Sequence, residues 1–112
     1  MDKYTIGIDY GTDSVRTIIV NTGNGEEVAN AVFEYPRWKE GKYCDAAKTQ
    51  FRHHPMDYKE GLETSVREAL KQAPEGTAEN VVAITADTTG STPVAVDRQC
   101  IPLALKKEFE DN

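Results

Sequence analysis

The chain has 112 residues, of which 38% are apolar and 29% are charged, and its formal net charge is −6 at pH 7. These values are typical of one folded domain with a core of modest size, and not of a disordered chain. The negative charge argues against a nucleic-acid partner, because a polyanion would be repelled by most of the surface. The sequence has no run of about 18 apolar residues, so no membrane partner is expected.

The chain ends and the cysteines indicate where the protein works. Residues 1–4 lack the basic and apolar segments of a signal peptide. Cys44 and Cys100 lie far apart without CxxC spacing, so we expect free thiols in a reducing compartment and a cytoplasmic location. Residues 106–112 break off in charge without completing an ordered element, which we interpret as a cut inside a longer protein.

The first third of the chain predicts three consecutive strands. Alternating apolar and β-branched residues indicate strands over 4–9, 15–20 and 27–35. Turn formers separate them, and the second turn contains Asn24-Gly25, a dipeptide that favours a tight hairpin. Three strands joined by short turns form an antiparallel meander.

An irregular segment and a helix follow. Residues 36–56 show neither a helical nor a strand period, and a loop of that length tends to be functional or covered by another part of the protein. Asp57 is then a suitable helix N-cap, with Glu60 three residues later as in a capping box. An apolar stripe at helical spacing continues to Ala73, and Pro74 ends the helix.

The last third predicts a crossover to a buried strand. Residues 81–86 form an apolar run, which indicates a strand buried on both faces, as in parallel strands flanked by helices. A polar loop separates it from a further predicted strand at 94–96, and 97–99 predict a turn. The order strand–strand–strand–helix–strand predicts an α/β domain with a mixed sheet.

The turn between the first two strands is the first candidate site. Asp9, at the end of a strand, is placed to hold a divalent cation directly or through water. Gly11 allows close backbone approach, and Thr12 and Ser14 add hydroxyls to a turn that presents N–H groups to an anion. Arg16 adds the planar cation that suits phosphate. These residues fit a phosphate-binding hairpin, and equally an ordinary β-hairpin.

The loop after residues 81–86 is the second candidate site, because ligands bind at strand ends in α/β sheets. Its residues are Asp87, Thr88, Thr89 and Gly90. They offer a carboxylate and hydroxyls that suit a polyol. On the residues alone, a solvated turn in which Asp87 and Thr88 cap local backbone is the more economical interpretation.

His53 and His54 follow Cys44 and Asp45 in the irregular segment. A structural metal site needs about four convergent ligands at regular spacing, and this cluster has no such pattern. We therefore expect no metal site there and interpret His54 as part of the start of the helix.

Residues 6–16 resemble the first phosphate-binding motif of the FGGY carbohydrate kinases, within the actin-like ATPase-domain superfamily. Four short stretches resemble, more narrowly, the ribulokinases of that family. They are 35–38, 41–45, 50–52 and 54–58. These stretches are the more specific part, because no general folding rule would produce that order of residues.

The resemblance implies a ribonuclease-H-like, actin-like ATPase domain, of which residues 1–112 would be the amino-terminal part, followed by the rest of that domain and a second domain. It implies phosphorylation of the terminal hydroxyl of ribulose to ribulose 5-phosphate, with ATP and Mg, in arabinose catabolism. The general base and the adenine pocket would lie beyond residue 112, so the isolated chain is expected to be inactive.

The resemblance also gives roles to both candidate sites. Asp9 would act at the Mg-ATP phosphates. The other residues of the phosphate hairpin would be Gly11, Thr12, Ser14 and Arg16. The loop 87–90 would line the sugar pocket.

Two alternatives remain open. One is another FGGY sugar kinase such as a xylulokinase, which the segment 35–58 disfavours. The other is an actin-like, ATP-dependent interaction protein that shares the hairpin without using a sugar, which the polyol-suited loop at Asp87 disfavours. Sheet or helix surface left uncovered by a cut would also allow self-association, and a homo-oligomer remains open.

Overall fold

The computed structural model describes residues 1–90 and 93–110. In chain order its strands and helices are β1 (Tyr4–Tyr10), β2 (Ser14–Asn21), β3 (Glu27–Glu34), α1 (Pro36–Lys39), β4 (Cys44–Asp45), β5 (Gln50–Phe51), α2 (Pro55–Gln72) and β6 (Val81–Thr88). The main sheet has the spatial order β3-β2-β1-β6. The first three strands pair antiparallel and β6 pairs parallel with β1, which confirms the predicted mixed α/β arrangement.

One face of the sheet and α2 form the core. Alternate residues of β1 and β2 point toward the helix, as the period of two requires. The buried apolar side chains are Tyr4, Ile6, Ile8, Val15, Ile19, Ala29, Ala31, Tyr35 and Ala69. Within this core the hydroxyls of Thr17 and Ser65 lie 2.7 Å apart, so the two buried polar groups satisfy each other.

A glycine in α2 sets how closely the helix approaches the sheet. A Cβ atom at Gly61 would lie 2.6 Å from Val15 Cγ1 and 3.1 Å from Phe33 Cδ1. Val15 is fully buried, so any movement away from such an atom would push it against other core side chains. Gly61 therefore permits a contact that a larger residue would prevent.

The predicted start of the long helix was wrong. The helix begins at Pro55, and His54 is its N-cap, with Nδ1 accepting the Met56 N–H at 3.1 Å. Proline is favoured at the first helical position because its missing N–H has no partner there in any case. Asp57 and Glu60 lie inside the helix and bind Arg37 instead of forming a capping box.

The segment 36–56 is more ordered than the sequence indicated. It contains α1, the paired two-residue strands β4 and β5, and a 3₁₀ turn at Ala46–Lys48. Each of these elements has two to four residues, which is too short to show a helical or strand period.

The prediction that the strand after the helix is buried on both faces was also wrong. Val82 and Ile84 of β6 are each 59% exposed. The helix α2 packs on β2 and β3, so most of β6 remains exposed at the edge of the sheet as described. Residues 1–90 and 93–110 thus leave both side chains more than half exposed.

Residues 94–110 include single turns of 3₁₀ helix at Leu103–Leu105 and Lys107–Phe109. Residues 94–96, predicted as a strand, form only an isolated bridge between Val96 and Pro102. The turn predicted at 97–99 is confirmed, because the Asp97 carboxylate accepts the N–H groups of Gln99 and Ile101 at 2.8 and 2.9 Å. A hydrogen bond with Lys106 lowers the pKa of this carboxyl.

Two further features concern the described residues as a whole. Cys44 and Cys100 carry free thiols. None of the helices in the described part of the chain has the length and apolar character needed to cross a membrane.

Replacement of Gly61 by alanine is expected to destabilise the fold. Alanine favours a helix over glycine by about 1 kcal/mol, whereas overpacking against the buried Val15 costs about 1–3 kcal/mol. The midpoint of urea unfolding should therefore fall in Gly61→Ala. Glu63→Ala, at an exposed position of the same helix, is the control and should shift the midpoint little. An unchanged or higher midpoint in Gly61→Ala would contradict the close contact.

Candidate phosphate-binding hairpin and adjoining cavity

The turn between β1 and β2 is tight. The Gly11 N–H donates to the Ser14 carbonyl oxygen at 2.8 Å, and a Cβ atom at Gly11 would lie 3.2 Å from that oxygen. The Gly11 amide is thus committed to the turn itself. Thr12 lies exposed at the tip and Ser14 begins β2, so both hydroxyls border the turn.

The two candidate sites meet in the sheet. Asp9 of β1 is in register with Arg16 of β2 on one side and with Asp87 of β6 on the other. Side chains in register lie on the same face, and this face is opposite the one that α2 covers, because the flanking residues Ile8 and Val15 are buried. The two carboxylates therefore lie side by side at the carboxyl ends of parallel strands.

The donor set fits a hydrated magnesium ion. Mg²⁺ usually keeps several waters and uses one or two carboxylates, which Asp9 and Asp87 supply at exposed positions. Within the described ranges, no three His, Cys, Asp or Glu side chains converge as a preformed metal cage. The evidence for a magnesium position here is therefore the pair of in-register carboxylates, Asp9 and Asp87.

Arg16 lies on the same face as Asp9 but is directed away from the tip. Its Nη1 donates to Asn30 Oδ1 at 3.2 Å. Asn30 lies opposite Ile18, two residues further from the turn than Arg16. The guanidinium group of Arg16 therefore lies beside β3, although the backbone of Arg16 is paired with that of Asp9.

Asp87 and Thr88, predicted as the start of a loop, are the last residues of β6, so the loop begins two residues later than predicted. The end of this strand makes local hydrogen bonds. The Asp87 carboxylate accepts the Thr88 N–H at 3.0 Å, and the Thr88 hydroxyl donates to the Thr89 carbonyl at 3.1 Å. The Thr89 N–H donates to the Tyr10 carbonyl at 3.2 Å, which fastens the loop to the end of β1. Asp87 and Thr88 therefore bind neighbouring backbone groups, as the interpretation of a solvated turn predicted.

A cavity of about 600 Å³ opens beside the tip of the hairpin. Its polar border includes Thr12, Thr89 and Gly90, so two of the four residues predicted for the second site reach it. The walls are mainly aromatic and aliphatic. They include Tyr43, Phe51, His53, Tyr58, Val94, Leu103 and Phe109. A concave, largely apolar space of this size suits a small molecule.

Five aromatic side chains, which we call the aromatic cluster, join the hairpin to the helices. They are Tyr10, Tyr35, Trp38, His53 and Tyr58. Burial raises the pKa of Tyr35 and of Tyr58, and in Tyr58 a hydrogen bond with Thr89 opposes that effect. Both phenols therefore keep their protons at neutral pH.

The aromatic cluster also holds the tip of the hairpin. The Tyr35 hydroxyl donates to the Gly11 carbonyl at 3.1 Å, and the Tyr35 N–H donates to the Asp13 carbonyl at 3.0 Å. His53 Nε2 lies 2.6 Å from the Thr12 carbonyl oxygen. The sequence did not predict these contacts, and the only signal of them is the unusual residue order of the segment 35–58.

A buried carboxylate positions the aromatic cluster. Asp57 is fully buried, and its oxygens accept the N–H groups of Arg37 and Trp38 at 3.3 and 3.1 Å. The Arg37 guanidinium bonds to Asp57 at 3.0 Å and to both oxygens of Glu60 at 3.0 Å. The hydrogen bonds from Arg37 lower the pKa of Glu60.

The fold and this candidate site are those of an α/β domain with a tight hairpin turn beside a cavity of about 600 Å³. Comparison with known proteins narrows the class. The chain is 47% identical over 110 residues to a ribulokinase from Vibrio parahaemolyticus, a match that covers 98% of the chain and 19% of the relative. It is 36% identical over 115 residues to a ribulokinase from Halalkalibacterium halodurans, which covers 98% of the chain and 20% of that relative.

A ribulokinase from Geobacillus thermodenitrificans is 36% identical over 113 residues, which covers 96% of the chain and 20% of the relative. No protein-family profile matches the chain. The chain is thus a homologue of ribulokinases over nearly its whole length, and it spans about a fifth of the length of these relatives. The resemblance of the sequence to ribulokinases is confirmed.

His54 should make stability depend on pH. Burial lowers its pKa, as does the nearby Arg37 charge, so below about pH 6.5 the unfolded chain binds more protons than the folded one. This contribution to stability is complete above the ordinary pKa and is lost as the pH falls toward the lowered one. Protonation also removes the Nδ1 acceptor that caps α2.

His54→Asn keeps a capping acceptor but does not titrate. Urea unfolding midpoints at about pH 7.5 and about pH 5.5 bracket the change. The wild type should lose more stability between them than His54→Asn, because other titrating groups are common to both proteins. Equal losses would contradict the assignment.

Proposed function

We propose that the protein of which this chain is a part is a ribulokinase that transfers phosphate from ATP to the terminal hydroxyl of ribulose, giving ribulose 5-phosphate in arabinose catabolism. The observation that carries the proposal is the 47% identity to a ribulokinase across 98% of the chain. The protein would work in the cytoplasm, where the free thiols of Cys44 and Cys100 stay reduced.

The chain spans about a fifth of its relatives, which supports assigning it to a part of a domain. We assign residues 1–112 to the amino-terminal part of the first FGGY-kinase domain, with a ribonuclease-H-like fold. The mixed sheet, with its antiparallel meander and parallel β6, is compatible with that fold. The general base is assigned to residues beyond this chain, so residues 1–112 alone should not turn over.

The hairpin supplies the phosphate side of the reaction. Gly11, Thr12 and Ser14 form the turn that would face the nucleotide phosphates, and Arg16 adds positive charge on the same face of the sheet as Asp9. Asp9, with Asp87 beside it in register, would hold Mg²⁺ through its water shell. When bound, Mg²⁺ neutralises charge on the transferring phosphate.

The cavity supplies the sugar side. Thr89 and Gly90 form its polar border next to the hairpin, while Asp87 and Thr88 hold the loop in shape. The aromatic walls suit the apolar faces of a small ketose, and the cavity reaches Thr12 at the tip. A terminal hydroxyl in this cavity would thus reach the tip of the hairpin, on the other side of which the phosphates are proposed to lie.

The exposed apolar surface of β6 is a reason to assay the full-length protein and not residues 1–112 alone. Among the described residues β6 is the last strand of the sheet, and its exposed Val82 and Ile84 leave apolar surface that favours association with other chains. The activity assays below therefore use the full-length protein.

ADP release by the purified full-length protein tests the function. With ATP and Mg²⁺, release should depend on ribulose and be weak with xylulose or with no sugar. A preference for xylulose would indicate a xylulokinase instead. Equal release with and without sugar would indicate an actin-like ATPase and overturn the kinase proposal.

Asp9→Ala should lower kcat by roughly 10- to 100-fold, since a group that holds the hydrated metal at the phosphates is lost. The KM for ribulose should change far less, because Asp9 lies on the sheet face opposite the cavity-side aromatic cluster. Glu63→Ala, which removes an exposed carboxylate of α2 outside both sites, is the control and should keep most of the activity. A raised KM for ribulose with unchanged kcat would contradict the role given to Asp9.

A further inference from the structure

His53 lies between the cavity and the tip of the hairpin. Its ring lines the cavity, and its Nε2 is 2.6 Å from the Thr12 carbonyl oxygen. A carbonyl oxygen only accepts hydrogen bonds, so Nε2 carries the hydrogen and donates the hydrogen bond. The bond joins residues 41 positions apart in the chain.

Neighbouring side chains fix the orientation of this ring. It stacks on Trp38 with centroids 4.5 Å apart and planes at 23°, and it meets Tyr35 edge-on at 5.8 Å. The backbone of Trp38 is held in turn by the hydrogen bond from its main-chain N–H to the buried Asp57 carboxylate. The donor at Nε2 is therefore presented in one direction, at a fixed place.

All three carbonyl groups of the tip accept bonds from the aromatic cluster. Tyr35 provides the donors to Gly11 and Asp13, and His53 provides the donor to Thr12. In a planar trans peptide the N–H points opposite to the C=O. With the Thr12 carbonyl held toward the aromatic cluster, the Asp13 N–H points away from it.

The direction of that amide is significant because the aromatic cluster lies on the α2 side of the sheet, where Tyr10 contacts Tyr58. The opposite side is the one that carries Asp9 and Asp87. An amide turned to this side is directed toward the place proposed for the phosphates and their metal ion.

We propose that His53 is a positioning residue for phosphate binding: its bond to the Thr12 carbonyl orients the Thr12–Asp13 peptide so that the Asp13 N–H faces the nucleotide phosphates. The proposal rests on the function proposed for the hairpin. His53 acts through the turn and does not touch the phosphates.

Two variants of the full-length protein separate the donated bond from ring packing. His53→Phe keeps an aromatic ring against Trp38 but has no donor. His53→Gln loses the ring but carries an amide N–H that reaches a similar position. Loss of one hydrogen bond predicts a KM for ATP raised roughly three- to tenfold in His53→Phe. His53→Gln should recover most of that loss, and the KM for ribulose should change less than about twofold in both.

His54→Asn is the matched control, because it alters the adjacent histidine while keeping its cap on α2, and its KM for ATP should equal that of the wild type. An unchanged KM for ATP in His53→Phe would overturn the proposal. Equal impairment of His53→Phe and His53→Gln would also overturn it, since ring packing would then be the cause. If His53→Phe does not fold, His53→Asn replaces it, because its shorter amide cannot reach Thr12.

Hydrogen–deuterium exchange tests the positioning without any substrate. Amides of residues 11–14 should exchange faster in His53→Phe than in the wild type, with His53→Gln close to the wild type. Equal exchange in all three would overturn the positioning role even in an active kinase. Failure of the kinase proposal itself would be visible in the wild type, as ATP use that does not depend on ribulose.

Discussion

The buried carboxylate of Asp57 is the constraint on which the site depends. A charged group without partners in a protein interior costs several kcal/mol, and here two backbone N–H groups and the Arg37 guanidinium offset that cost. Because both amides belong to the first turn of α1, Asp57 acts as a cap supplied from another helix. It thereby fastens a four-residue helix that could not be stable alone.

A chain of contacts leads from Asp57 through the segment 35–58 to the hairpin. Asp57 holds Trp38, the Trp38 ring stacks on His53, and His53 reaches the tip at Thr12. Tyr35, at the start of the same segment, bonds to the tip on both sides of Thr12. A segment built of very short elements thus determines the shape of the turn that is proposed to bind phosphate, and it also forms a wall of the adjoining cavity.

The sequence predicted those parts of the fold whose signals are periodic and local. The alternation in β1 and β2, the Asn24-Gly25 turn and the apolar stripe of α2 needed no knowledge of distant residues. Asp57 was misread because Asp followed three residues later by Glu is a good local capping pattern, whereas its partners lie in α1. Likewise, the apolar run of β6 shows that the strand can be buried, but not whether anything covers it.

In the candidate site too, the sequence predicted the local features but not those that depend on distant residues. Asp9 and Asp87 were each identifiable as polar residues at strand ends, but their adjacency depends on the register of β6 against β1, which contains an irregularity between Tyr4 and Thr5. A register shifted by one residue would turn Asp87 to the other face of the sheet.

The two faces of the sheet therefore have different tasks at the hairpin. On the α2 side, Tyr35 and His53 hold the carbonyl groups of the tip, so the donors of the turn point away from them. On the other side, Asp9 and Asp87 provide negative charge that would repel a bare phosphate but attract a phosphate that arrives with its metal ion. A turn that offers N–H donors beside two carboxylates is suited to a metal–nucleotide complex rather than to a free anion. The proposed selectivity would follow from the strand register, and the proposed direction of the donors would follow from the segment that Asp57 holds in place.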